Sequence, residues 1–505
     1  MRLFAETEEV MKLIDRATAS LVAAASICMA CVPPAAAQRL TTELLTNEVR
    51  LPTWVGAAPE DPDRLFIVER SSGLIRILEK GELLPAPFLD ISHNLRALGG
   101  GGFMSMAFHP EFLDNRYFYI YFTDSNGDAV VERYTVSGDP NVADPSTRLE
   151  IIKVLRNPLD NEHPGGFIGF SPMDGYLYIT CGDGGPQGDP DNHAQNRQLL
   201  LGKILRIDVD GGTPYSIPPD NPFVDDPNTL DEIWVIGFRN PWRAAFDPLR
   251  GDLYVADVGF NRWEELSFIA DGDGGRNCGW AIKEGSECHR PRNNCDPNSV
   301  LTDPIIEYFH STSPRRCSII GGVLYRGEGI PLLGGRFFFA DFCSAEVWSI
   351  EFDGRRVLSI KNHSEQVRLP NGERFAAISS FGVDHQGEVL VADMGWGIHR
   401  IVTVLQLDAP TLRAGRSVEF TVSGAEPDVP VRVFYSLEGL GRTPIGLLDV
   451  ELALADPRLA GVAHADSNGR AAFTATVPSG ARGRTIWLQV AHRGNTSNVV
   501  KRVVE

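Results

Sequence analysis

Few cysteines, no cationic excess and no apolar run long enough to span a bilayer mark this chain of 505 residues. Lys and Arg number 47 against 66 Asp and Glu, for a net charge of −19. A surface this acidic repels phosphate backbones, which excludes nucleic acid as a partner. It suits a solvated exported protein and leaves carboxylates free to hold calcium. The longest small and apolar stretch, Ala19 to Val32, is too short to cross a membrane comfortably. Taking Met11 as the start, Lys12 and Arg16 precede this stretch and Ala35-Ala36-Ala37 follows it, just before Gln38. That layout predicts a cleavable export signal over residues 1–37. The mature chain is then secreted or periplasmic, with no integral membrane segment. Of the 8 cysteines, Cys28 and Cys31 fall in the signal, and the rest contain no Cys-x-x-Cys pair, which argues against zinc. An even number in an exported chain predicts disulfides, first Cys288–Cys295 across a short loop, then Cys317–Cys343.

Glycine (50) and proline (34) are abundant, so the chain turns often, as many short strands require. One pattern recurs six times. Gly251-Asp-Leu-Tyr-Val-Ala-Asp257 matches Gly335-Arg-Phe-Phe-Phe-Ala-Asp341 and Gly387-Glu-Val-Leu-Val-Ala-Asp393. Looser copies are Asp63 to Glu69, Asn115 to Asp124 and Gly175 to Asp183. Each is a short apolar run rich in aromatic and β-branched residues, the composition of a strand buried on both faces. Most copies are followed by a turn and a second strand, as in Lys203 to Asp208 and Gly397 to Ile401. Six such units predict an all-β, six-bladed β-propeller over residues 38–404, because radial repetition protects strand edges. The segment Leu40 to Pro59 is expected to complete the last blade and join the chain's two ends. Beyond Val404 the pattern changes. Val418 to Val422, Val431 to Tyr435, Ala471 to Val477 and Thr485 to Val490 alternate apolar with polar residues. That period predicts a small immunoglobulin-like β-sandwich over residues 405–505, a stabilising or adhesive module.

Chemistry concentrates in four motifs. In Asn161-Glu-His-Pro-Gly-Gly166, His163 sits at a glycine-rich loop before a blade strand, where a propeller places its pocket. Imidazole takes a proton near neutral pH; the alternative is a histidine that only caps the loop. Asp183, in Cys181-Gly-Asp-Gly-Gly185, ends the next strand and is placed to orient that imidazole, or else only to close a turn. In Gly237-Phe-Arg-Asn-Pro-Trp242, Arg239 offers a fork for carboxylates and Asn240 a donor and an acceptor. The alternative for Arg239 is an internal arginine bridging two blades. In Asp257-Val-Gly-Phe-Asn-Arg-Trp-Glu-Glu265, the carbonyls of Gly259 and Phe260 are hard oxygen ligands suited to calcium, although the spacing matches no EF-hand.

These motifs, together with Gly102 to Pro110, Leu201 to Asp208 and Asn277-Cys-Gly-Trp280, stand in an order that resembles the glucose/sorbosone dehydrogenase family from about Leu51 to Val402. The resemblance implies a quinone-dependent oxidoreductase. Such an enzyme oxidises the anomeric carbon of an aldose to a lactone, using pyrroloquinoline quinone (PQQ) and calcium and passing electrons to an external acceptor. It implies His163 as the base, Asp183 as its acidic partner and Arg239 as a further catalytic group. Arg239 and Asn240 would lie beside the cofactor, with Gly259 and Phe260 on its calcium. The chain departs from the glucose-oxidising members at three places. Gly100 stands where they carry glutamine, and Cys343 where they carry a cofactor lysine. Only Arg374, in Asn371 to Ser380, is available in place of their arginine pair. In these departures it resembles the branch that includes hedgehog-interacting-protein-like propellers. A non-catalytic secreted propeller that contains calcium and binds a glycan or a protein is therefore the second expectation.

Overall fold

The computed structural model describes residues 38–157 and 159–505; the expected export signal, with Cys28 and Cys31, lies outside them. Six antiparallel sheets follow one another along the chain up to Thr403. In each, one repeat copy forms the second strand: Arg64–Glu69, Tyr117–Thr123, Leu177–Cys181, Leu253–Asp257, Arg336–Asp341 and Val389–Asp393. These strands are almost wholly buried along their length, as runs apolar on both faces must be.

The acid that ends most copies has a structural task. Asp341 accepts the amides of Cys317 and Ser318 on one oxygen and those of Cys343 and Ser344 on the other. Asp393 likewise accepts from Ala377, Gly395 and Trp396. Each carboxylate thus ties the loop entering its blade to the turn leaving its second strand, satisfying buried donors that no ladder reaches.

The sixth sheet closes the ring. Leu40–Thr46 pairs antiparallel with Gly397–Thr403, joining the chain's early and late parts in one blade. The expected closing segment is really two strands. Its second half, Pro52–Gly56, is the inner strand of the first blade, paired with Arg64–Glu69. The split falls where Leu51 takes a positive φ of 46°.

At the centre of the ring lies Arg243, 3% exposed, in the inner strand Pro241–Phe246 of the fourth blade. Its guanidinium donates to the carbonyls of Gly166 (2.9 Å), Trp242 (2.7 Å) and Met104 (3.0 Å), to that of Thr53, and to Ser380 Oγ (3.2 Å). These acceptors lie in or next to the inner strands of five blades. Burial pushes the guanidinium down to about 9. Past it, toward the C-terminal ends of the inner strands, the channel widens into a cavity of about 340 Å³ lined by Trp54, Phe167, Phe246 and Phe381.

In the fifth blade, His363 Nε2 meets Ser349 Oγ at 2.7 Å and its ring stacks on Phe338. Burial, with Arg336 and Lys361 nearby, pushes it down from 6.5 to about 3. The unfolded chain therefore takes this proton well before the folded one, and stability falls as pH drops from 6.5 toward 3. Urea titrations of the wild type and His363→Gln at pH 7 and pH 4 should show the wild type losing about 3 kcal/mol more than the variant on acidification.

After Thr403, sheets of three strands (Gln406–Asp408, Ser417–Ser423, Ala471–Thr476) and four strands (Arg458–His464, Pro430–Ser436, Thr485–His492, Asn495–Val503) face each other. Val418, Phe420, Val422, Val431, Val433, Leu488 and Val490 fill the space between. This sandwich rests on the propeller. Val499 donates to the Gly329 carbonyl (2.8 Å), Lys501 pairs with Glu328 (2.9 Å), and Asn498 donates to Thr403 Oγ1 (2.9 Å). Gln38 Nε2 reaches the Ser497 carbonyl at 2.6 Å, so the module also touches the chain leading into the closing strand.

Candidate functional site

Two glycine-rich loops interlock on the face where the second strands end. His163 takes a left-handed φ of 49° and is 3% exposed. A side chain at Gly182 would lie 2.2 Å from the His163 carbonyl, so only glycine lets the two loops approach. The contact that results is direct: His163 Nδ1 lies 2.7 Å from Asp183 Oδ1. The same oxygen accepts the Gly185 amide at 2.9 Å, and Asp183 Oδ2 accepts the indole N–H of Trp280 at 2.8 Å. Burial opposes ionisation of Asp183. The His163 ring, the Gly185 amide and Arg239 outweigh it and hold the carboxyl below the usual range.

Asp183 also shows how this blade departs from the repeat. In the fourth blade, Asp257 ends the second strand and accepts the amides of Arg239 (2.9 Å) and Asn240 (2.6 Å). Burial raises its carboxyl above the usual range against those donors. The matching strand end in the third blade is Cys181, a buried free thiol, and the acid stands two residues later, facing the imidazole.

The fourth blade's loop completes the mouth. The Asp183 amide donates to the Arg239 carbonyl at 2.7 Å, and Asn240 Oδ1 accepts from Gly165 at 3.1 Å. Arg239, 4% exposed, donates to the Val258 carbonyl (2.9 Å) and Gln187 Oε1 (2.7 Å). Its Nε is buried without a hydrogen-bond partner among the described residues. The guanidinium also lies 5.7 Å from the ring of Phe260 and 5.8 Å from that of Trp280. At Gly259 a Cβ would fall 1.5 Å from the Trp263 carbonyl, so this turn admits glycine alone. The amides of Phe260, Asn261, Arg262 and Trp263 all point at Glu284 Oε1, within 2.8 to 3.3 Å. The backbone expected to offer calcium its carbonyls is therefore rigidly held.

His163, Asp183, Arg239 and Asn240 thus meet through direct contacts, and Gly259 and Phe260 adjoin them through Val258. Arg374 does not join this group by any contact among the described residues: it pairs with Glu365 at 2.9 Å in a half-exposed loop. Position 100 does border the site, since a Cβ at Gly100 would lie 3.2 Å from Pro164 and 3.5 Å from the His163 amide. Cys343 is bonded to Cys317, as Cys288 is to Cys295, so both expected disulfides form. Sequence reasoning noticed the motif that carries Trp280 but gave the indole no role. It also missed Gln187, and His193, whose Nδ1 lies 2.8 Å from the Asp183 carbonyl.

A family model described as Glucose / Sorbosone dehydrogenase matches residues 51–377. HIPL1 protein of Arabidopsis thaliana is 34% identical over 323 residues, covering 52% of this chain and 46% of its own length. HIPL2 protein of the same plant is 32% identical over 424 residues, covering 69% of this chain and 58% of its own. The chain thus spans about half the length of the curated relatives it matches. Among solved structures, the PQQ-bound aldose sugar dehydrogenase of Streptomyces coelicolor superposes with a TM-score of 0.55 at 19% identity, over 73% of this chain and 99% of that one. At that identity the likeness is one of fold. No helix of the described residues is long and apolar enough to cross a membrane.

Proposed function

The chain belongs to the glucose/sorbosone dehydrogenase family, and from that premise we propose that it is an exported, quinone-dependent oxidoreductase that converts the anomeric carbon of an aldose to a lactone. The observation that carries this reading is the buried 2.7 Å contact between His163 Nδ1 and Asp183 Oδ1. An ionised Asp183 holds the ring proton on Nδ1, which leaves Nε2 as the acceptor. In the proposed reaction Nε2 takes the hydroxyl proton of the sugar as the anomeric C–H is oxidised, and Asp183 stabilises the imidazolium that forms.

The residues present fit the cofactor of the family. A quinone bearing three carboxylates needs fixed cations and donors. The mouth provides Arg239, whose buried Nε has no hydrogen-bond partner among the described residues, and Asn240 beside it. Gly259 and Phe260 would give carbonyls to its calcium. Arg374 would serve only after leaving Glu365. When bound, the quinone supplies a two-electron acceptor. The protein's own part is to aim the base at one hydroxyl and to hold the guest in register.

A specific observation favours the second reading, a non-catalytic propeller that binds a glycan or protein. Position 343, a cofactor lysine in the glucose-oxidising pattern, is here consumed in the Cys317–Cys343 disulfide. Dye-coupled oxidation separates the two. Protein loaded with PQQ and calcium should reduce the dye when an aldose is added. No sugar-dependent reduction, under conditions in which a glucose-oxidising relative turns over, would leave only the binding role.

A further inference from the structure

We infer that Trp280 is a positioning residue for the His163–Asp183 pair, an inference that rests on the proposed role of His163 as base. A carboxylate that orients an imidazole must itself be kept from rotating. Asp183 is 0% exposed, so its orientation is set by the protein donors that surround it. Oδ1 is shared between the imidazole and the Gly185 amide, while the indole N–H at 2.8 Å is the bond given to Oδ2. Without it the carboxylate loses the contact that sets its second oxygen, and a buried charged acceptor is left underused.

The indole is itself gripped on several sides. Its backbone carbonyl accepts Gln195 Nε2 at 2.6 Å. The His289 ring stacks on it with centroids 5.2 Å apart and planes 23° from parallel. Phe260 packs against it at 6.1 Å. His289 follows Cys288 directly, so it rides on the loop closed by Cys288–Cys295. The same loop is fastened to the far side of the mouth, where Arg290 donates to the Asp189 carbonyl at 2.7 Å and to that of Gly188. Trp280 thus connects three separate supports to one carboxylate: the disulfide-closed loop, the Gly259–Phe260 turn and the His193–Gln195 turn. Packing alone would account for a buried aromatic ring here. It does not account for the aim of the N–H, because phenylalanine would fill much of the same space.

The test uses Trp280→Phe, which keeps an aromatic ring and removes the donor. In the loaded enzyme, kcat should fall at least about 10-fold while KM stays within about twofold, since the substrate-binding groups are untouched. The acid limb of the pH–rate profile should move to higher pH, because a carboxylate that loses a hydrogen bond protonates more readily. Unchanged kcat and an unmoved acid limb would overturn the inference. A second readout needs no activity and no folded variant at position 280. In the wild-type chain without cofactor, the indole N–H resonance of Trp280 should lie downfield and move upfield in Asp183→Asn. An indole resonance indifferent to that substitution would reduce Trp280 to a packing residue. If the wild type turns over no sugar, the catalytic reading fails, and the resonance still decides whether the indole is coupled to Asp183.

Discussion

In the His163→Ala chain, aldose-dependent turnover should fall by about 10²- to 10⁴-fold, the range lost when a positioned general base is removed. Its thermal unfolding midpoint should move little. The structure explains why the two effects separate. Truncating the ring takes one partner from Asp183, but the Gly185 amide and the Trp280 indole still satisfy that carboxylate. The loop keeps its shape because the Gly184 amide bonds to the backbone carbonyl of residue 163. Circular dichroism melts beside dye-coupled rates would check both halves. A variant that retained most of its turnover would remove His163 from the chemistry and leave it as a loop residue.

Replacing Arg243 by leucine should have the opposite profile: loss of the fold rather than of one reaction. Five buried acceptors drawn from five blades would lose their donor at once. Each unsatisfied buried group costs about 1–3 kcal/mol, so the sum approaches the whole stability of a typical domain, about 5–15 kcal/mol. We expect Arg243→Leu to be insoluble or to unfold at much lower urea. Arg243→Lys should also be impaired, because an ammonium keeps the charge but has three donors and no planar fork. Soluble yield and the urea midpoint measure this directly. A leucine variant as stable as the wild type would show that the inner strands do not depend on their shared cation.

This arginine also marks where sequence reasoning stopped. An internal arginine bridging blades was the alternative considered for Arg239. Both arginines bridge blades: Arg239 joins Val258 of the fourth blade to Gln187 of the third at the mouth, and Arg243, four residues further on, ties five inner strands at the centre. Their neighbours along the chain, Phe238 and Asn240 for Arg239 and Trp242 and Ala244 for Arg243, do not announce these tasks; only the closing of the ring decides which arginine reaches the centre. The repeats were legible because all six copies are second strands buried on both faces, the one position in a blade whose composition is fixed by burial. The early segment was harder, because one stretch of strand-like residues serves two blades. His163 and Asp183 could be paired in advance, standing 20 residues apart in adjoining motifs. Trp280 lies 97 residues from Asp183, and no pattern along the chain announces that contact. The seat of the sandwich on the propeller was equally hidden, resting on contacts between residues far apart in the chain, such as Val499 with Gly329 and Lys501 with Glu328.

The central claim is that this mouth accepts a flat anionic quinone beside His163. Titration of the purified protein with PQQ, with and without calcium, tests it most directly, by following the quinone's absorbance and the quenching of tryptophan emission. The account predicts saturation at one quinone per chain, dependent on calcium, and weakened at least about tenfold in Arg239→Ala, where a charge-assisted contact is lost. Absence of saturable binding, or binding indifferent to both calcium and Arg239, would contradict it.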